Sequence, residues 1–305
     1  MLIKFHIVRY LDTIVNTLLH MRQQMNQNLP FLVYNILKEF DPDRKGFMPR
    51  SRFYKAAYLI HKRLKKRRIE TGLPWCWYIW GPEVQMDLVP GEDVLYRYEH
   101  EEGGEDDITI MFYIPTRQPP QTSEKDAAAI LYEIRGLAKQ NPPLKTLLQE
   151  IYSDPPKKVL RVFKDFEEML VGDITKDLIN GYLDQIGKSF SEDEFGEILD
   201  DYLRLDSLMR FLAERGLVIL KEHLQLVRDF RVILATKASA LFNENVPSDW
   251  IEGRFALAEK RLAEFRPALE RTESELYARL HIPDVEVRKY TAKLMETSLE
   301  LSKEV

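Results

Sequence analysis

The chain has 305 residues, of which 45% are hydrophobic and 30% charged, with a net charge of −5. That length supports two ordinary domains with a sizeable core in each, and the balance reads as soluble and globular. A single cysteine, Cys76, excludes a disulfide framework and points to a reducing compartment, so the expected location is cytoplasmic.

The charge is divided along the chain. Residues 1–80 carry a net +10 and the remaining residues −15. A basic front permits contact with phosphate or an acidic partner, while the acidic remainder argues against the whole protein coating DNA. The first residues mimic a signal peptide, but Lys4, His6, Arg9 and Asp12 interrupt the apolar run and no small-residue cleavage pattern follows. No segment approaches the roughly 18 apolar residues of a membrane span, so no membrane is expected as a partner.

Leu11, Ile14, Val15, Leu18, Met21 and Met25 make an amphipathic stripe that predicts a helix over residues 3–26. A shorter helix is expected over residues 30–40, with Pro30 in its first turn. Residues 41–52 mimic a calcium loop through Asp41, Asp43 and Gly46. Lys45 and Arg52 stand where ligand oxygens belong, so no metal is expected there.

Phe53, Ala56, Ala57, Ile60 and Leu64 then fall at helical spacing and predict a helix with a core-facing side. Its end carries Lys62, Arg63, Lys65, Lys66, Arg67 and Arg68, six cations in seven positions. Such a run needs solvent, the negative helix C-terminus or an anion to offset its repulsion. Gly72 and Pro74 are expected to stop the helix. An aromatic block follows, Trp75, Trp77, Tyr78 and Trp80, closed by Gly81 and Pro82. The block reads as local core, and burying three indoles contributes at most about 15 kcal/mol. Cys76 within it is a poor nucleophile, because an apolar setting suppresses the thiolate. His61 is expected to be a solvated helix-end residue.

The order of this FYKAAYLI helix, a polar connector and an aromatic run ending in Trp80-Gly81-Pro82 resembles the Panacea-type domain of phage-associated and antitoxin proteins. The resemblance covers about a tenth of the chain, and Glu83-Val84 follows the Gly-Pro. It implies a mostly helical regulatory or toxin-neutralising module, with no catalytic residues to carry over.

Beyond the block the pattern turns extended. Residues 94–98 and 108–114 are rich in β-branched and aromatic residues, and the polar run between them centres on Gly103-Gly104, which predicts a hairpin. Helices followed by a hairpin predict a winged-helix-like α+β domain over residues 1–116. Residues 83–110 hold ten acidic residues against one Arg97, so the hairpin would be repelled by phosphate. Residues 115–123 have linker composition.

From there to the end only helices are predicted, making residues 117–305 an all-helical bundle or coiled-coil assembly domain. Helices are expected from Ser123 to Asn141, over 143–152, from Asp154 to about Leu170 and over 174–186, where Gly181 interrupts. One more runs from a capping box at Ser191 and Glu194 to Arg215-Gly216. Residues 217–242 and 248–281 follow, with Pro267 expected to kink or divide the second, and residues 284–303 close the chain. Leu220, Leu224, Val227, Leu234 and Leu241, or Leu262, Phe265, Leu269 and Leu276, recur at three, four and seven, which favours antiparallel neighbours in a bundle or a coiled-coil arm. Long helical arms commonly dimerise or hold a partner protein, and the alternative is a self-contained monomeric bundle.

No catalytic motif stands up. The GYLDQIGKS run at residues 181–189 has five residues between its glycines where a phosphate loop needs four, and no strand precedes it. The acidic residues Glu192, Asp193, Glu194, Asp200 and Asp201 read as a wet helix face rather than a magnesium site. No cofactor is expected, and the six histidines have no ligand spacing. An enzyme whose site is assembled only in three dimensions has no local support.

The reading that results is a mainly α, non-enzymatic regulatory protein. It binds nucleic acid, with duplex DNA as the expected ligand, through Arg50, Arg52, Lys55, Lys62, Arg63, Lys65, Lys66, Arg67 and Arg68, and dimerises through its C-terminal helices. The alternative is an antitoxin-like or scaffold protein whose helical domain holds a partner protein.

Overall fold

The computed structural model describes residues 27–40, 47–89, 96–101, 108–113, 120–172 and 174–281. Over these the protein is mainly helical, as expected. In chain order come α1 (27–39), β1 (Phe47–Pro49), α2 (Arg50–Lys66), β2 (Trp75–Tyr78), β3 (Gly81–Val84), β4 (Tyr96–Glu101) and β5 (Ile108–Tyr113). Then follow α3 (Glu124–Gln140), α4 (Leu144–Ser153), α5 (Lys158–Met169), α6 (Lys176–Gly187), α7 (Glu192–Phe195), α8 (Leu199–Glu214), α9 (Lys221–Leu241), β6 (Asn243–Glu244) and α10 (Ser248–Arg279). The strands form two three-stranded sheets, ordered β1-β5-β4 and β3-β2-β6. The expected helices at 3–26 and 284–303, residues 41–46 of the calcium-loop mimic and the hairpin tip at 102–107 lie outside the described residues, as does most of the linker.

Contacts group the chain into two units. The first comprises Met1–Cys76, Trp80–Ser153 and Asn243–Val246, and the second Trp77–Ile79, Asp154–Phe242 and Pro247–Val305. The expected division after residue 116 falls among residues outside the description.

The first unit is organised on α2, which packs against α3, α4, β1, β3 and β5. Its predicted stripe is fully buried: Phe53, Ala56, Ala57, Ile60 and Leu64 have no exposed surface. Burial reaches further, because Lys55 through His61 are buried without a break. Seven consecutive residues are nearly two turns, so over that length the helix presents no face to solvent.

α3 begins where the sequence placed it, with Ser123 Oγ accepting from the Asp126 amide at 3.1 Å, and ends on Asn141 in the left-handed region at φ 43°. The hairpin is also present, with β4 and β5 antiparallel from Tyr96↔Tyr113 to Glu101↔Ile108, and β1 joining the other edge of β5.

Extended structure starts earlier than the sequence indicated. The aromatic block is itself a strand, β2, and pairs with β6 through Trp75↔Glu244 and Cys76↔Asn243. Trp75 and Trp77 are buried, but Trp80 is 53% exposed, so only part of the block is core. Gly81 sits at φ +84°, where a side chain is strained, and a Cβ there would lie 3.5 Å from Ile151.

The second unit is built on aromatic packing. Phe230 of α9 is fully buried, with Phe163, Tyr202 and Phe265 rings at 5.5, 6.0 and 5.6 Å between centroids. Two residues expected to interrupt helices do not divide them. α6 runs through Gly181, and α10 runs unbroken through Pro267, an exposed position where water can satisfy the carbonyl left without a partner. The helix expected from Ser191 to Arg215 is instead split by a 3-10 turn at Gly196–Ile198, and Ser191 makes no side-chain cap. α8 does end at Gly216, whose φ of +62° lets the Leu217 amide reach back to Leu212 O at 2.9 Å. No helix among the described residues is long and apolar enough to cross a membrane.

Truncating Phe230→Ala removes the ring at the centre of this packing. The expected loss is about 3–5 kcal/mol of stability, read as a lower denaturant midpoint at unchanged slope.

Candidate nucleic-acid interface

The basic end of α2 emerges from the core only in its last turn. His61 and Leu64 face inward and are buried, whereas Lys65, Lys66, Arg67 and Arg68 are exposed. The helix stops at Lys66, six residues before the glycine expected to end it. Arg68 takes the left-handed conformation at φ 61°, the Arg68 amide bonds Lys65 O at 2.9 Å, and the Ile69 amide bonds Leu64 O at 3.1 Å. This is a Schellman cap, with buried Ile69 and Leu64 at its two apolar positions.

Three of the exposed or half-exposed cations meet carboxylates of the same unit. Arg63 pairs with Glu150 of α4 at 2.9 Å, Lys65 with Glu244 of β6 at 2.5 Å and Arg67 with Glu133 of α3 at 2.9 Å. Arg67 also lies over the ring of Tyr132, 5.5 Å from its centroid, and Tyr132 is 70% exposed. Lys62 is half-buried.

The other sequence-nominated residues are elsewhere. Arg50 is exposed at the start of α2, about 24 Å along the axis from Lys66. Arg52 is directed at the α3–α4 connection, donating to Asn141 Oδ1 at 2.5 Å and Pro142 O at 3.1 Å, with Phe40 beneath its guanidinium. Lys55 is 3% exposed and its Nζ donates to Pro82 O at 2.9 Å, so it is an interior group and not a phosphate contact. Burial lowers its pKa to about 8, against the opposing pull of Glu83.

The least expected group is His61. It is 1% exposed, not solvated, with Nε2 2.9 Å from Glu244 Oε2 and Nδ1 2.6 Å from Thr71 Oγ1. Glu244 therefore accepts from both His61 and Lys65. Those bonds, His61's first, hold its carboxyl at about 2 despite partial burial. Thr71, His61 and Glu244 stand in the order of a hydrolase triad. The Thr71 hydroxyl is wholly buried and also accepts from the Leu73 amide at 3.3 Å, so the line is a structural clamp and not a nucleophile.

The remaining sequence candidates resolve as scaffold. The GYLDQIGKS run lies within and just after α6, where helical backbone cannot cradle phosphate. Of the acidic residues, Asp201 forms a forked pair with Arg266 and Glu194 pairs with Lys157. Among the described residues no three metal-ligating side chains come together. No protein-family model, curated protein or solved structure matches the chain.

Two pH dependences follow from the clamp and the interior lysine. Glu244 titrates lower folded than unfolded, so its stabilising contribution is present above pH 4.5 and fades as pH falls toward 2. Glu244→Gln should flatten acid unfolding over that window. Lys55 also titrates lower folded, but as a base, so the unfolded chain binds the extra proton between pH 8 and 10.5 and wild-type stability rises across that range. Lys55→Met should abolish the rise, as read from denaturant midpoints at successive pH values.

Proposed function

We propose that the chain is a non-enzymatic regulatory protein that contacts nucleic-acid phosphate through the end of α2. In this reading the first unit is a winged-helix-like module, and the long helices of the second unit form a bundle that assembles the protein into a homodimer. The observation that carries it is the concentration of Lys62, Arg63, Lys65, Lys66, Arg67 and Arg68 at one helix end, with the last four exposed. The winged-helix proposal is supported by the strand order β1-β5-β4, in which a strand before α2 returns onto the hairpin.

Lys55 drops out of the interface because it is buried, and Arg50 lies at the far end of the helix. The pairs with Glu133, Glu150 and Glu244 reduce the local potential without cancelling it. The Arg63–Glu150 pair, whose carboxylate is the most exposed of the three, contributes about 0–1 kcal/mol, so a phosphate oxygen can replace that carboxylate at small cost.

A partner-protein reading is supported by those same carboxylates. An acidic segment of another protein would engage the basic end through the same kind of pair, and the Panacea resemblance implies such a partner.

Fluorescence anisotropy with a labelled oligonucleotide over a salt series tests the first reading. Affinity should fall steeply as salt rises, and Lys66→Glu with Arg68→Glu should weaken it at least tenfold and lower the salt slope by about 2. Salt-insensitive or undetectable binding at low salt removes the nucleic-acid function and leaves the partner-protein one.

A further inference from the structure

The geometry points to single-stranded nucleic acid as the ligand, with Tyr132 as the side chain on which a base stacks. This rests on the phosphate-binding reading above and names the form of nucleic acid that the site takes.

Reading a duplex by a helix requires that helix to offer a face to the major groove. α2 offers none along its middle, because Lys55 to His61 are enclosed on all sides and only its two ends, Arg50–Ser51 and the last turn, reach the surface. What lies beside that turn is the exposed side of α3. Tyr132 stands at its middle, 70% open to solvent, with the Arg67 guanidinium over its ring. Exposed Arg135 and Lys139 follow on the same side at three and seven positions, and exposed Lys125 precedes by seven.

The neighbours at four positions on either side of Tyr132 are Ala128 and Gly136, both exposed. Gly136 has no packing reason to be glycine: a Cβ there would meet nothing within 4 Å. A glycine in an exposed helix interior weakens the helix, and here it leaves the approach to the ring uncovered. An aromatic ring flanked by small residues, with Arg67 over it and Arg135 (paired with Glu39 at 3.1 Å) and Lys139 on the same side of α3, combines the two elements of single-strand binding, a stacking platform and a basic track for phosphate.

Anisotropy with a fluorescein-labelled oligothymidylate of about 20 nucleotides, and with a duplex of equal length, tests the assignment. The single strand should bind at least tenfold tighter. Tyr132→Ala should weaken single-strand binding roughly five- to a hundredfold and leave the duplex unaffected, while Tyr132→Phe retains it. Gly136→Leu should raise the unfolding midpoint yet weaken single-strand binding, because a leucine there leans toward Tyr132, which separates loss of binding from loss of fold. Equal affinity for the two probes, or no effect of Tyr132→Ala where Lys66→Glu with Arg68→Glu still weakens both, overturns the stacking site and leaves the phosphate reading. Failure to bind either probe overturns both.

Discussion

The enclosure of α2 is the constraint on which the first unit depends. A helix buried around nearly two turns must fill those positions with apolar side chains or give every polar one a partner. The chain does both: tyrosine, leucine, isoleucine and alanine fill most positions, Lys55 reaches a carbonyl at Pro82, and His61 is held at both ring nitrogens. Positive charge can then accumulate only where the helix leaves the core. The density of cations at residues 65–68 follows from how little of α2 is left outside.

What was legible in the sequence was local. The spacing of Phe53, Ala56, Ala57, Ile60 and Leu64 marked a core face, Ser123 marked the start of α3, and Gly216 marked the end of α8. Each of these signals is complete within a few residues. The burial of Lys55 and His61 was not legible, because periodicity assigns a helix one inner side and α2 is covered on all of them. Nor was β6, two residues long, whose identity as a strand comes from Trp75 and Cys76 far earlier in the chain. Likewise the Glu244–His61 contact spans 183 residues. Gly181 does not interrupt α6 and Pro267 does not divide α10 for the opposite reason: packing along the rest of a helix outweighs one unfavourable residue.

The electrostatic picture is finer than the charge division of the sequence implied. The acidic remainder of the chain contributes Glu133, Glu150 and Glu244 to the basic end, so positive charge there is moderated within the unit itself. Two kinds of carboxylate contact coexist. The Arg63–Glu150 pair joins a half-buried guanidinium to an exposed carboxylate, whereas Glu244 is fixed by a buried imidazole as well as by Lys65. Glu244 accordingly belongs to the architecture.

The segment Asn243–Val246 lies between α9 and α10, which belong to the second unit, yet it supplies the first unit with a strand, the Glu244 clamp and a bond from Asn245 Nδ2 to Leu73 O at 3.1 Å. Colinearity is thereby broken. During synthesis the first unit cannot close its second sheet until the ribosome has passed residue 246 and that tetrapeptide has left the exit tunnel. Until then the imidazole of His61 waits without its acceptor. A fragment cut between α4 and α5 would carry the same vacancy permanently, so the smallest piece of this gene product able to complete its own amino-terminal half extends well into the carboxy-terminal one.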